Sequence, residues 1–153
     1  MPDDALATLQ AAIDRSLAAA GPAILHSFPP ESRLSAAEFV AFWGGQRLAA
    51  LATVSPRGRA HALPITVHLH GATFYLRSEP DAVKMRDIRA NPSVALSTWS
   101  AEGDIHVMIQ GTARELTADE RAALPPDLVA DAPWGPVAAV AITPTRITAR
   151  RRS

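Results

Sequence analysis

Arg77, Ser78 and Lys84 fall within one short run, Arg77-Ser78-Glu79-Pro80-Asp81-Ala82-Val83-Lys84, and together they could hold a phosphate. The run reads as a strand turning into a helix. A helix start offers free amide protons and the positive end of the helix dipole, both suited to an anion. Ser78 adds a hydroxyl donor, and Arg77 and Lys84 add positive charge about one turn apart. The same run also reads as an ordinary capped helix, with Ser78 as the cap and Lys84 in solvent. Glu79 and Asp81 favour that reading, because both would repel an anion. Composition pulls the other way: of the fifteen basic residues fourteen are arginine, and Lys84 is the one lysine.

The histidines are the second candidate set. His68 and His70 share one face of a strand, and His106 lies on a strand that could neighbour it. Imidazoles at i and i+2 can ligate a metal or a haem. His68 and His70 flank a turn, however, where exposed polar residues are ordinary, so no metal site is expected. His106 sits mid-strand beside Met108 and Gln110 and is less easily assigned to solvent. Asp104 and His106 share a strand face, a pairing too common on exposed strands to carry weight. Nucleophilic catalysis finds no support: there is no cysteine and no Gly-x-Ser-x-Gly elbow. Neither Gly-x-Gly-x-x-Gly nor a P-loop is present.

The elements that position these residues follow from periodicity. Leu6, Leu9, Ile13 and Leu17 recur at helical spacing and predict a helix over Asp3 to Ala20, capped by Asp3 or Asp4 and stopped by Gly21-Pro22. Pro22 to Arg33 reads as a linker. Ser35-Ala36-Ala37-Glu38 is a capping box that starts a short helix through Trp43. The period then changes to two. Leu48 to Val54, His61 to His70 and Thr73 to Arg77 read as an antiparallel meander with turns at Ser55–Gly58 and Gly71. A helix is expected over Ser78 to Ala90, ended by Asn91-Pro92. Strands are expected over Val94 to Trp99, Ile105 to Leu116 and Val137 to Ile142, with Arg146 to Arg150 as an extension. Thr117 caps a short helix that stops at Pro125-Pro126, and a proline-rich loop leads on through Trp134. Six strands with one inserted helix predict a mainly β fold with flanking helices, a closed or nearly closed antiparallel barrel. Residues 1–47 form a helical segment packed on the barrel, and 48–153 the barrel itself. A barrel this short is expected to meet a second subunit through one face.

The 153 residues suit one domain with a real core, and their balanced charge offers no field for nucleic acid or anionic membrane. The acidic start, Met1-Pro2-Asp3-Asp4, does not read as a signal peptide, and the longest apolar run is far below the about 20 residues of a membrane span. The absence of cysteine suits the cytoplasm.

The order of motifs resembles the pyridoxamine 5'-phosphate oxidase-like split-barrel flavoproteins. Leu51-Ala52-Thr53-Val54-Ser55-Pro56-Arg57-Gly58-Arg59 is similar to that family's opening hairpin, and His61 to His68 to the strand that follows. The run Ala82-Val83-Lys84-Met85-Arg86-Asp87-Ile88-Arg89-Ala90-Asn91-Pro92 is similar to its phosphate-binding lysine, arginine, aliphatic and closing Asn-Pro. Val107-Met108-Ile109-Gln110-Gly111-Thr112-Ala113 and Thr143-Pro144-Thr145-Arg146-Ile147 resemble its later strands. The likeness covers Leu48 to Ala149.

The resemblance implies a six-stranded split barrel, a homodimer with two cofactor sites at the interface, and an oxidoreductase acting on a small molecule. It implies FMN as cofactor, with the 8-hydroxy-5-deazaflavin coenzyme as the alternative and haem a more distant one. By position, Leu63, Pro64, Ile65, Thr66 and Val67 would run beside the ring. Leu76, Arg77 and Ser78 would line the ribityl and phosphate region, with Val83 next to the phosphate-binding Lys84. His106 stands where the oxidase branch has a glutamine facing the flavin, which makes it the candidate catalytic residue. Val83 replaces a second basic residue of that branch and Leu63 an arginine, so Lys84 with Arg86 looks closer to the branch using FMN or the deazaflavin for hydride transfer. A flavin- or haem-binding protein for storage or sensing is the other function the pattern allows.

Overall fold

Alternating Leu63, Ile65, Val67 and Leu69 build the strand Ala60–His70 (β2), which pairs antiparallel along its length with Gln46–Val54 (β1). A computed structural model describes residues 1–152 of the chain. The hairpin turns through Ser55–Gly58, where the Gly58 amide donates to the Ser55 carbonyl and Gly58 takes a φ of 76° that favours glycine. Four more strands follow: Thr73–Ser78 (β3), Ser93–Trp99 (β4), Ile105–Glu115 (β5) and Ala138–Arg151 (β6). They close in the order β1-β2-β3-β6-β5-β4, with β4 returning to β1 at Ala50–Ala52. This is the expected six-stranded antiparallel barrel with flanking helices.

The barrel is split beside β2. β3 pairs with β2 only at His68, Leu69 and His70, then leaves to run with β6 from Phe74 to Ser78. Leu63–Val67 therefore has β1 on one edge and no strand on the other.

Helices close the ends and one side. Asp3–Ala18 (α1) lays Leu9, Ala12 and Ile13 into the core, and its buried Ser16 hydroxyl accepts the Ile147 amide of β6 at 2.8 Å. Pro2, not Asp3 or Asp4, is its N-cap, and no side chain caps it. The Pro22–Arg33 stretch expected as a linker instead holds Pro22–Ser27 (α2) and a 3-10 turn at Pro30–Ser32. Proline is suited to the first helical position, where its missing amide costs nothing. The Ser35–Glu38 capping box is formed and starts Ala36–Trp43 (α3). Phe39, Trp43 and Phe74 pack edge and face in one core cluster that spans α3 and the barrel.

β6 is one strand where two pieces were expected. A shift in its register against β5 between Gln110 and Gly111 carries the strand past Pro144. Thr117 and Glu120 form a capping box on Ala118–Ala122 (α5). The proline-rich segment also contains Pro126–Val129 (α6), which was expected as loop. Leu128 and Val129 cover Ala139 and Ala141 of β6 in a second, smaller core.

Candidate functional site

The helix that follows β3 spans Val83–Ala90 (α4), five residues shorter than the Ser78–Ala90 expected. Ser78 is the last residue of β3, held there by pairing with Ala138, and Pro80 disfavours helical backbone at Glu79. Ser78 is thus no helix cap. It is buried, and its hydroxyl donates to the Glu79 carbonyl at 3.0 Å. Ala82 is the N-cap and offers no side-chain bond. Among the described residues no backbone carbonyl takes the amide protons of Val83 or Lys84, whereas Met85 and Arg86 both donate to the Ala82 carbonyl.

Lys84 is not on the open face of α4. Helical spacing puts it on the side of Asp87 and Ile88, both buried against the barrel, while Val83, Arg86 and Ala90 are exposed. The ammonium group is half-buried and has no hydrogen bond or ion pair among the described residues. One turn further along, Asp87 Oδ2 accepts from His61 Nδ1 at 2.6 Å and from the Thr53 hydroxyl at 2.7 Å. These bonds tie α4 to β1 and β2 where the unpaired stretch of β2 begins. Burial raises the Asp87 pKa, but the His61 and Thr53 bonds, with the charges of His61 and Arg86, outweigh it and hold the carboxyl below its ordinary value.

Beside the free β2 edge lies a cavity of 560 Å³ lined by Pro64, Ile65, Thr66, His68, Arg77 and Trp134, among others. Arg77 Nη1 donates to the Ala130 carbonyl at 3.0 Å, which holds the side chain along this cavity. Burial pushes the His68 imidazole below its ordinary pKa; Asp127 opposes this and Arg77 adds to it. Leu76 is fully buried, Val67 likewise, and Leu63 and Ile65 are half-buried. The structure thus gathers Pro64, Ile65, Thr66, His68 and Arg77 about the split, while Val83 and Lys84 open the helix that Asp87 ties to β1 and β2, and Leu76 lies in the core.

His106 is elsewhere. β5 pairs with β4 and β6, so its strand does not neighbour that of His68 and His70, contrary to the expectation. Its Nε2 donates to the Gly103 carbonyl at 2.9 Å, and its Nδ1 lies 3.5 Å from Arg150 Nη2. Within one chain His106 is not brought to Lys84 or to the free edge. No cluster of three or more histidine and acidic residues that could hold a metal occurs among the described residues. Nor is any described helix long and apolar enough to cross a membrane.

Sequence periodicity missed the Thr53–Asp87–His61 network because its members are 26 and 34 residues apart. The available signal was an acid at Asp87 between the apolar Met85 and Ile88 of the same helix.

No curated protein matches the chain. Among solved structures, a putative pyridoxamine 5'-phosphate oxidase from Listeria innocua is 19% identical, with 72% of this chain and 94% of that one covered and a TM-score of 0.61. An FAD-binding protein from Mesorhizobium loti is 22% identical, covering 78% and 95% with a TM-score of 0.59. An F420 reductase is 21% identical, covering 65% and 87% with a TM-score of 0.56. At these identities the likeness establishes the fold. The model of the family described as pyridoxamine 5'-phosphate oxidase matches residues 35–150, from the α3 cap to one residue short of the end of β6 at Arg151. The chain belongs to the pyridoxamine 5'-phosphate oxidase-like family of split barrels.

Proposed function

We propose that the chain binds a phosphate-bearing flavin cofactor along the free edge of β2 and acts, as a homodimer, as an oxidoreductase on a small molecule. The observation that carries this reading is that the strand with an unpaired edge, Leu63–Val67, is tied through His61 and Asp87 to a helix whose first amides are free and whose half-buried Lys84 ammonium is unpartnered among the described residues. The residues fit such a group. In the register with β1, the Pro64 carbonyl and the Thr66 amide and carbonyl face the free edge and are available to the polar edge of a planar ring, and the Lys84 ammonium and the Val83 and Lys84 amides suit a phosphate. Arg77, whose Nη1 alone is engaged, would flank the chain between the two.

When bound, FMN or the deazaflavin coenzyme would supply hydride transfer. The protein's own part is anchoring, orientation and a partly apolar surround from Leu63, Ile65 and Trp134. The F420 reductase and the FAD-binding protein among the structural relatives support a cofactor of this class. Hydride transfer in this reading needs no side-chain acid or base, and both ring nitrogens of His106 face groups of its own chain.

In this reading the second subunit would pack on the outer face around β1. Leu48 and Trp99 are 65% and 60% exposed there, beside Ala50 and Pro64, around an open hollow of 690 Å³. Large apolar side chains grouped in this way mark an interaction surface.

Absorption spectra of the purified protein, before and after reconstitution with FMN or the deazaflavin coenzyme, test the reading. A bound flavin band that bleaches with reductant supports it. No retained chromophore after either reconstitution, or a Soret band on isolation, contradicts it.

A further inference from the structure

A second basic site lies on the hairpin side of α4. A hollow of 390 Å³ is lined by Arg57 and Arg59 from the β1–β2 turn, His61 from β2, and Val83, Arg86 and Asp87 from α4, with Ser55 and Pro56 at its rim. Lys84 does not line it. The three guanidinium groups are exposed, and none has an ion pair or side-chain hydrogen bond among the described residues. This contrasts with Arg89, Arg114 and Arg121, each of which holds an acid. The one acid in the hollow, Asp87, is nearly wholly buried and already accepts from His61 and Thr53.

That pair also fixes His61. A carboxylate accepts only, so Nδ1 carries a proton toward Asp87, and the ring is held with Nε2 free of any bond among the described residues. Three unneutralised guanidinium groups and an oriented imidazole on one hollow match the fork geometry and charge of a phosphate, not those of a neutral or cationic ligand. The net charge of the chain is zero, so this cluster is local and not part of a general basic field.

We propose that this hollow is a second anion site, separate from the Lys84 site, that takes a phosphate or diphosphate group. The group is either carried by a separate phosphorylated small molecule or is the further phosphate of a dinucleotide cofactor.

Titration of pyrophosphate into the full-length protein, followed by calorimetry and by the imidazole resonances of His61, tests the proposal. The expected result is saturable binding that moves the His61 signals, is weakened about tenfold or more in the R57Q/R59Q double variant, and is retained in K84A. Arg57 and Arg59 are exposed and Lys84 is half-buried, and circular dichroism checks the fold of both variants. Two further arms separate the sources. Pyrophosphate binding that persists in protein saturated with FMN points to a separate metabolite. A loss of FAD affinity in R57Q/R59Q, with FMN affinity unchanged, points to the dinucleotide. Unmoved His61 signals, or equal pyrophosphate affinity in wild type and R57Q/R59Q, overturns the proposal. Loss of FMN binding in K84A bears only on the first site, so the two fail independently.

Discussion

The indole Nε1 of Trp43 donates to the carbonyl of Val67 at 3.2 Å. The last core residue of α3 therefore holds the strand that carries the free edge, and it does so from within the aromatic cluster of Phe39 and Phe74. Trp43→Ala removes the largest buried side chain and should cost about 3–5 kcal/mol of unfolding free energy. Trp43→Phe keeps much of the packing and should cost less, because the Val67 carbonyl stays in the ladder with Arg47 and only the indole bond, about 0.5–1.5 kcal/mol, is lost with the smaller ring. Urea unfolding measures both; a loss below about 1 kcal/mol in Trp43→Ala would remove α3 from the account of the barrel core.

Gly111 sits at the β5 bulge against β6. A Cβ there would lie 2.7 Å from the Thr143 carbonyl oxygen and 2.8 Å from Ile142 Cγ2. Gly111→Ala should destabilise by about 1–3 kcal/mol, because backbone must move to make room. Gly21→Ala is the control, since nothing lies within 4 Å of its Cβ position. Equal melting temperatures for the two variants would mean that the strands separate there at no cost.

Asp87 should set part of the acid response. Its folded pKa lies below the ordinary 3.8. Its contribution is therefore full above that ordinary value and is lost as pH falls through the lower, folded one. Asp87→Asn should lower stability at pH 7 by about 1–3 kcal/mol and flatten the fall below pH about 4. Parallel stability curves for wild type and variant from pH 7 to pH 3 would contradict an ionised clamp at this position.

Much of the barrel was legible because its signal is local. Period two in His61 to His70 and turn residues at Ser55–Gly58 mark strands without knowledge of their partners. The start of α4 is misread in the sequence because Ser78 looks like a cap residue, while its pairing with Ala138 is a contact across 60 residues. α2 and α6 were hidden by prolines, which read as breaks although each begins a helix. Lys84 was found by its rarity and by family likeness, but its inward direction needed the helix boundary. The hollow of Arg57, Arg59 and Arg86 was invisible in an arginine-rich chain, since only the fold shows which arginines lack an acid.

The central claim is that Lys84 anchors a cofactor phosphate, and titration of FMN or the deazaflavin coenzyme into stripped wild-type and Lys84→Ala protein tests it most directly. A charge-assisted contact to phosphate predicts affinity weaker by about tenfold to a hundredfold in the variant. The melting temperature of the cofactor-free protein should change little, because the ammonium has no partner in the chain. Lys84→Arg should restore affinity only in part, since a planar fork replaces a compact charge. Equal affinities in wild type and Lys84→Ala would contradict the account and place any phosphate site away from the start of α4.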